Sequence, residues 1–306
     1  MHDDEPRSAD LIGVSTWVWT SPLDDSTLAE LAGRVATMGF DVLELPFEQL
    51  DDWEPARASD VLGRHGLTAT TCAVMSDGRD LTTGDGGITR DTQAYLVGCI
   101  ERAAVVGAGV VAGPMYAPVG RTWREDGAAR RGTIGRLIEA LRPVADAAGE
   151  HGVRLAIEPL NRFETSLINT IDQALEVIEA VDSDALGLCL DTFHMNIEER
   201  DPAAAVDRAR GRITHVQACG TDRGAPGADR FEWRRFVEAL RAGDYRGPVC
   251  IESFTPHNDA IARAAAIWRP LAESPDRLAI DGLAFLRAAF HAATVADDGR
   301  QPVGDR

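Results

Sequence analysis

The sequence predicts a single (β/α)8 barrel, the TIM barrel fold, with one extra helix at its C-terminal end. Short apolar segments recur along the chain, each is followed by a longer stretch of helical periodicity, and there are eight such pairs. Strands that are apolar throughout and separated by helices are typical of a parallel sheet covered on both sides, and eight of them close most simply into a barrel. An open doubly wound sheet fits less well, because no G-x-G-x-x-G motif follows the first strand.

The eight units follow one another in chain order. The predicted strands lie in LIGVSTWVW, DVLEL, LTATTCAV, GVVAGP, VRLAIEP, LGLCLD, RITHVQA and GPVCIESF. The helices that follow them lie in STLAELAGRVATM, ARASDVLGRH, TQAYLVGCIERAAVV, RRGTIGRLIEALRPVADAAGEHG, TIDQALEVIEAV, AAAVDRAR, RFEWRRFVEALRAG and NDAIARAAAIWRPLA. The segment SPDRLAIDGLAFLRAAFHAA predicts the extra helix. We expect one barrel domain over residues 11–294, between disordered tails at 1–10 and 295–306.

Composition excludes several classes of protein. Hydrophobic residues make up 44% of the 306 residues and charged residues 26%, which is the balance of a globular protein, and no run of about 18 apolar residues marks a membrane span. The net charge of -18 would repel the phosphates of nucleic acid. The five cysteines show no CxxC spacing, and the polar opening segment MHDDEPRSAD does not resemble a signal peptide. We therefore expect a cytoplasmic protein without nucleic-acid or membrane partners.

The ends of the last four strands carry polar residues, and barrels place their reactive groups at that end. These residues are Glu158, Asp191, the pair His215 and Gln217, and Glu252. Buried carboxylates at neighbouring strand ends repel one another unless a cation lies between them. Carboxylates together with Gln or His suit a hard or borderline divalent ion such as Mn²⁺, Mg²⁺ or Co²⁺. The alternative for any one of them is a helix N-cap, and Asp191 fits that description.

Four segments make the chain resemble a known family: EPLNRFETSLINT, LDTFHMNIEE, DRGAPG and IESF. They resemble the D-tagatose/D-psicose/L-ribulose 3-epimerase family, within the sugar-phosphate isomerase/epimerase group of xylose isomerase-like barrels, and the resemblance covers nearly the whole chain. It implies four metal-ligand positions, which fall on Glu158, Asp191, Gln217 and Glu252. It also implies three substrate contacts, which fall on Glu164, His194 and Arg223.

One ligand position departs from the family pattern. The family typically reads H-x-H at the end of strand seven, whereas this chain reads His215, Val216, Gln217. A Gln carbonyl oxygen can coordinate Mn²⁺ or Mg²⁺, but it is neutral and a weaker donor than imidazole. We predict Mn²⁺ as the cofactor, with Mg²⁺ or Co²⁺ as alternatives, and interpret His215 as a hydrogen-bonded interior residue.

The resemblance implies a reaction, namely 3-epimerisation of a ketose through a metal-stabilised enediolate. Glu158 and Glu252 would exchange the roles of base and acid. Strands five and eight are three steps apart in an eight-stranded ring, so these carboxylates approach a sugar from different sides, as inversion at one carbon requires. His194 and Arg223 would hold sugar oxygens, and Glu164 would orient the carbonyl end.

Aromatic residues after strands one and four are candidates for an apolar wall against the sugar ring or chain. They are Trp17, Trp19, Tyr116 and Trp123. We count Trp17 and Trp123 among the substrate contacts, and packing in the core or at the rim is the alternative for each. Glu44, at the end of strand two, is expected to form hydrogen bonds inside the barrel or to cap a helix.

Two other functions remain open at this point. Metal-dependent lyases or deglycosidases, aldose-ketose isomerases and inosose-processing enzymes share this fold and abstract a proton beside a carbonyl. In a non-catalytic sugar-binding subunit, Gln217 would have abolished metal binding, although the retained carboxylates argue against this because they would repel one another without a cation. We expect a small keto-sugar as the substrate and a homo-oligomer, either a dimer or a tetramer.

Overall fold

Eight parallel strands pair in chain order and close on themselves in the computed structural model, which describes residues 10–254, 256 and 259–298. The first and last strands complete the ring, with Ile12 opposite Val249. The fold class predicted from the sequence is therefore confirmed. The strands are β1 (Ile12–Ser15), β2 (Val42–Phe47), β3 (Thr68–Ala73), β4 (Val110–Gly113), β5 (Arg154–Ile157), β6 (Leu186–Asp191), β7 (Ile213–Ala218) and β8 (Val249–Ile251).

Helices lie between successive strands in the chain and pack against the strands and against one another. Two of them, α6 and α7, separate β6 from β7, and α9 and α10 follow β8. The helices are α1 (Asp25–Met38), α2 (Pro55–Arg64), α3 (Gly86–Val106), α4 (Gly127–His151), α5 (Ile171–Val181), α6 (Thr192–Glu198), α7 (Pro202–Arg208), α8 (Trp233–Ala242), α9 (Asp259–Ala264) and α10 (Pro275–Asp298).

The strands are buried on both faces. In β2 (VLELPF) and β6 (LGLCLD) every residue is buried. One face of each strand points into the barrel and the other is covered by helices, so both faces favour apolar residues. Polar residues such as Glu44 and Asp191 in these strands therefore need partners inside the barrel.

Helix ends are fixed by side-chain caps and by glycines. At the start of α1, Asp24 accepts hydrogen bonds from the backbone N–H groups of Ser26 and Thr27. Burial of Leu28, Leu31 and Val35 then fixes the face that α1 turns towards the barrel. The helix ends at Met38 and is followed by Gly39, whose φ of 95° lies in the left-handed region that favours glycine. Such caps contribute about 1 kcal/mol each.

Three helices differ from the sequence prediction. The seven-residue α6 is absent from the prediction, because one or two turns give little periodicity. Helix α9 is shorter than predicted and ends near Ala266, whose φ of 55° is incompatible with a continuing helix. Helix α10 extends to Asp298, so residues 295–298 of the predicted tail are helical. Residues 1–9 and 299–306 lie outside the described residues.

The last helix has an unusually apolar composition. Over Pro275–Val295 it is the one segment among the described residues whose length and composition would allow it to cross a membrane. In the structure this helix packs against α8 and β1, and Ala279 and Leu286 on it are fully buried. Packing on the barrel thus accounts for the apolar residues on this face.

Candidate active site

The polar strand ends predicted from the sequence meet at the C-terminal end of the barrel. Glu158 and Glu252 directly follow β5 and β8. Asp191 is the last residue of β6, and Gln217 is the penultimate residue of β7. None of the four exposes more than 4% of its surface. A cavity of about 120 Å³ opens beside them, and both glutamates line it. The predicted substrate contacts that also line this cavity are Trp17, Glu164, His194 and Arg223.

A buried arginine joins two of the carboxylates. Arg223 Nη1 donates to Asp191 Oδ2 at 2.5 Å and to Glu252 Oε2 at 2.7 Å. The guanidinium carbon lies 4.2 Å from the ring centre of Phe193 and 5.3 Å from that of Phe254. The backbone of Arg223 has φ 68°, a conformation that few residues other than glycine adopt. The loop after β7 therefore holds this side chain over the strand ends at a cost in backbone strain.

Asp191 has other partners besides the arginine. Burial raises the pKa of Asp191, but the charges of Arg223 and His194 outweigh burial and lower the pKa to about 2. Its Oδ1 also accepts the backbone N–H of Phe193 at 2.7 Å and so caps α6. The residue is therefore both a helix cap and the partner of a buried arginine.

The two glutamates have pKa values shifted in the opposite direction. Burial raises the pKa of Glu158, although the nearby His194 opposes this shift. Burial also raises the pKa of Glu252 well above its ordinary value; the charge of Arg223 opposes this shift, and the negative charges of Asp191 and Glu158 add to it. These two carboxyl groups therefore hold protons more readily than exposed ones.

His194 lies on α6 and faces the same group of residues. Its Nε2 is 3.4 Å from Glu158 Oε1, 3.5 Å from Asp191 Oδ2 and 2.8 Å from Arg223 Nη2. Its Nδ1 accepts the backbone N–H of Asn161 at 2.9 Å. Because a backbone group holds Nδ1, the ring is oriented with Nε2 towards the carboxylates.

Glu164 lies on the loop after β5, which is joined to the loop after β4. Asn161 Nδ2 donates to Glu164 Oε1 at 2.7 Å. The N–H of Gly120 donates to the carbonyl oxygen of Glu164 at 2.7 Å, and the N–H of Ser166 donates to that of Arg121 at 2.8 Å. Residues 121 and 165 pair as an isolated parallel bridge. The two loops thus continue the pairing of β4 and β5 beyond the barrel.

Gln217 presents its nitrogen, and not its oxygen, to the carboxylates. Nε2 donates to Glu252 Oε1 at 2.9 Å and to Glu44 Oε1 at 3.1 Å. Oε1 accepts from the thiol of Cys189 at 3.3 Å. An NH₂ group cannot ligate a cation. The geometry therefore does not favour the metal-ligand role that the family pattern implies for this position.

His215 is a hydrogen-bonded interior residue, as interpreted from the sequence. Its Nε2 lies 2.6 Å from Glu44 Oε2, and both residues are fully buried. Glu44 accordingly forms hydrogen bonds inside the barrel. Ligand atoms of Glu44, His215 and Cys250 lie within 4.8 Å of one another, but the first two already bond each other directly.

The aromatic candidates separate into two groups. Trp17 lines the cavity, donates from Nε1 to Glu48 Oε1 at 3.0 Å and packs 5.4 Å from the ring of Phe254. Trp123 does not line this cavity; it is 56% exposed, and the guanidinium carbon of Arg121 lies 4.4 Å from its ring centre. The structure thus separates Trp123 from the other predicted substrate contacts, because the loop after β4 turns it outwards.

The remaining two aromatic candidates also lie away from the cavity lining. Tyr116 is fully buried and donates to the carbonyl oxygen of Glu158 at 3.1 Å, and Trp19 donates to Asp276. Both therefore support neighbouring elements, which is the packing alternative considered for them.

The cluster of buried carboxylates at the strand ends fits a divalent cation. Ligand atoms of Glu158, Asp191 and His194 lie within 4.8 Å of one another. Three buried carboxylates face the single guanidinium of Arg223, so negative charge is in excess within this part of the structure unless protons or a cation balance it. Carboxylate and imidazole donors are those that Mn²⁺, Mg²⁺ and Co²⁺ accept in proteins.

Sequence reasoning missed three residues that shape the site. Asn161 is 2% exposed and holds both His194 and Glu164, while Phe193 and Phe254 flank the guanidinium of Arg223. Each stands within or beside a segment that carried the family resemblance. Their contacts join separate loops, however, and no local periodicity predicts such contacts.

Comparison with known proteins identifies the family. Residues 32–289 match the model of the xylose isomerase-like TIM barrel. Over 280 residues the chain is 37% identical to a probable ketose 3-epimerase of Synechocystis sp., and the match covers 91% of this chain and 96% of that protein. The chain belongs to the ketose 3-epimerase family. The family resemblance inferred from the sequence segments is therefore confirmed.

Solved structures agree with this assignment. A structure of L-ribulose 3-epimerase has a TM-score of 0.91 at 28% identity and covers 97% of this chain and 100% of that one. A structure of D-allulose 3-epimerase from Methylomonas sp., in complex with D-allulose, has a TM-score of 0.85 at 27% identity. The match covers 92% of this chain and 97% of that one.

Proposed function

We propose that this member of the ketose 3-epimerase family is a divalent-metal-dependent 3-epimerase of a free ketose. The observation that carries the proposal is the position of Glu158 and Glu252, which line one cavity from strands three apart in a closed ring. Two carboxylates on different sides of one bound sugar can remove and return a proton on opposite faces of a carbon. The D-allulose complex of a family member supports a ketose as the ligand.

The metal would be held by Glu158, Asp191 and Glu252, with the imidazole of His194 beside them. We propose Mn²⁺, with Mg²⁺ or Co²⁺ as alternatives. When bound, such an ion withdraws electron density from the oxygens of a ketose and acidifies the neighbouring C–H group. Gln217 is left out of this set, because its oxygen accepts a hydrogen bond from Cys189.

The protein residues carry the proton transfers. Glu158 takes the proton from C3 of the ketose, the electrons of the C–H bond move towards the C2 carbonyl oxygen, and an enediolate forms. Glu252 then donates a proton to the opposite face of C3, and the two residues exchange roles in the reverse direction. Hydrogen bonds from Arg223 and His194 would stabilise the oxygen on which negative charge develops.

The cavity lining favours a sugar without a phosphate group. Arg223 is the one Lys or Arg side chain among the described residues that line the cavity, and it is already paired with Asp191 and Glu252. A phosphate would therefore meet carboxylates and no free cationic side chain. We propose that Glu164 orients the carbonyl end of the ketose and that Trp17 packs against its carbon chain.

Deuterium transfer from solvent tests this proposal directly. The protein, loaded in turn with Mn²⁺, Mg²⁺ and Co²⁺, is incubated in D₂O with D-allulose, D-tagatose or L-ribulose, and products are resolved by NMR. We expect deuterium at C3 of the epimerised product. An epimerised product without deuterium at C3 would contradict the mechanism, and deuterium at C1 or C2 with an aldose product would indicate an aldose-ketose isomerase instead.

Two amide variants assign the roles of the carboxylates. Glu158→Gln and Glu252→Gln keep the shape of each side chain but cannot take a proton from carbon. We expect each to lower kcat by about 10²- to 10⁴-fold. A variant in which kcat is retained would remove that residue from the proposed mechanism.

We also propose that the protein acts as a homo-oligomer, a dimer or a tetramer, in the cytoplasm. Light scattering coupled to size-exclusion chromatography would measure the oligomeric state, and a monomer at working concentration would contradict it.

A further inference from the structure

We infer that Glu44 and His215, here called the anchor pair, hold the proposed acid/base residue Glu252 in place through the side-chain amide of Gln217. The inference deepens the proposed epimerase function and rests on it, because the orientation of Glu252 matters only if that carboxylate reacts. The anchor pair and Gln217 are thus positioning residues, since they act on the substrate only through Glu252.

The anchor pair is rigid because each oxygen of Glu44 has its own partner. Oε2 accepts from His215 Nε2 at 2.6 Å and from Thr70 Oγ1 at 3.4 Å. Oε1 accepts from Gln217 Nε2 at 3.1 Å. Glu44 and His215 are fully buried, so water does not compete for these bonds. The carboxylate therefore offers Gln217 an acceptor at a fixed position.

Gln217 uses all of its hydrogen-bonding groups in this arrangement. One NH₂ hydrogen points to Glu44 Oε1 and the other to Glu252 Oε1, while the carbonyl oxygen accepts from the thiol of Cys189. Rotating the amide by 180° would turn its oxygen towards two carboxylates, which repel it. An imidazole nitrogen carries at most one hydrogen and cannot bridge two carboxylates from one atom. Glutamine is thus suited to joining Glu252 to the anchor pair.

The consequence for Glu252 is that both of its oxygens are held. Oε1 accepts from Gln217 at 2.9 Å, and Oε2 accepts from Arg223 at 2.7 Å. A proton-transferring group works best when it is held near one geometry, because a loose group must be ordered in each turnover. Loss of the Gln217 contact would leave Glu252 held at one oxygen only.

A double-mutant cycle tests the inference. Glu44→Met removes the acceptor of the anchor pair, Gln217→Leu removes the bridge, and Glu44→Gln keeps an acceptor oxygen as the conservative variant. Cys250→Ala is the matched control, because its thiol is fully buried in the same barrel interior and lies 3.5 Å from Thr70 Oγ1. For each protein, kcat and KM for deuterium incorporation at C3, the Kd of Mn²⁺ by electron paramagnetic resonance, and Tm are measured.

We expect kcat to fall about tenfold in Glu44→Met and in Gln217→Leu, which corresponds to about 1.4 kcal/mol, with KM little changed. The double variant should lose no more than either single variant, because both break one connection. Glu44→Gln should recover most of kcat, and Cys250→Ala should retain it. The Kd of Mn²⁺ should change to the same extent in Gln217→Leu and in Glu44→Met, because in both variants the cation is affected only through the position of Glu252.

The outcomes separate this inference from the function on which it rests. Wild-type protein that transfers no deuterium to any ketose overturns the proposed function and the inference together. Active wild-type protein with additive losses in the double variant, or with single variants that behave as Cys250→Ala, overturns the inference alone. Mn²⁺ binding that is much weaker in Gln217→Leu than in Glu44→Met, with kcat restored at saturating Mn²⁺, would make Gln217 a metal ligand and would also overturn it.

Discussion

Removing the guanidinium of Arg223 is expected to destabilise the protein more than any loss of an exposed charge. The side chains of Arg223, Asp191 and Glu252 are each exposed by no more than 5%. In Arg223→Met the two carboxylates lose their buried partner, and breaking such a pair costs about 3 kcal/mol or more. At about 2.1 cal/mol/K of unfolding entropy per residue, this lowers Tm by about 5 °C in a chain of 306 residues.

Differential scanning calorimetry at pH 7 measures this change. Arg234→Met is the matched control, because Arg234 is 84% exposed and lies 3.7 Å from Glu238, so its loss should change stability by less than about 1 kcal/mol. Saturating Mn²⁺ should raise Tm more in Arg223→Met than in wild type, because a cation would then meet carboxylates without a competing guanidinium. An Arg223→Met protein as stable as Arg234→Met would refute the reasoning.

Four further outcomes are expected. The folded-state pKa of Asp191 is about 2, below the ordinary pKa of 3.8, so its stabilisation of about 2 kcal/mol is present above about pH 4 and is lost as pH falls towards 2. Urea unfolding from about pH 5 to about pH 2 should therefore show a shallower loss of stability in Asp191→Asn. Glu158→Gln should raise Tm at pH 7, because burial disfavours the charged carboxylate and the amide is neutral; an unchanged or lower Tm would contradict this. Mn²⁺ at about 100 times its Kd should stabilise the wild-type protein by about 2.7 kcal/mol, and chelation should reverse the effect; no shift in Tm would support a non-catalytic subunit. Gly113→Ala should destabilise by about 3 kcal/mol in chemical denaturation, because at φ 123° its Cβ would lie 2.6 Å from the carbonyl oxygen of Ala73.

The barrel could be predicted because every strand leaves a local trace. Each strand is a short apolar run, and in each long helix the buried residues recur every three or four positions. Both patterns can be recognised without knowledge of distant contacts. Helix α6 left no such trace, yet Asp191 before Thr192 is a cap signal that marks its start. Recognising that signal as a helix start would have placed His194 on α6.

The placement of carboxylates at strand ends followed from the fold class, whereas their partners did not. Parallel strands in a barrel bring Glu158, Asp191 and Glu252 to one end whatever the loops do. Arg223 reaches two of them because the loop after β7 adopts a positive φ, and a single sequence does not specify that conformation for arginine. The direction in which Gln217 points its amide depends on contacts with two other strands.

The paired loops after β4 and β5 bear on how the cavity could be redesigned. The carbonyl oxygens of Glu164 and Arg121 accept the N–H groups of Gly120 and Ser166, so each loop satisfies the backbone of the other. A chimera that replaced one loop alone would leave backbone groups of its neighbour without partners. Loop grafting in this barrel should therefore exchange residues 118–125 and 158–169 together, as a single structural unit.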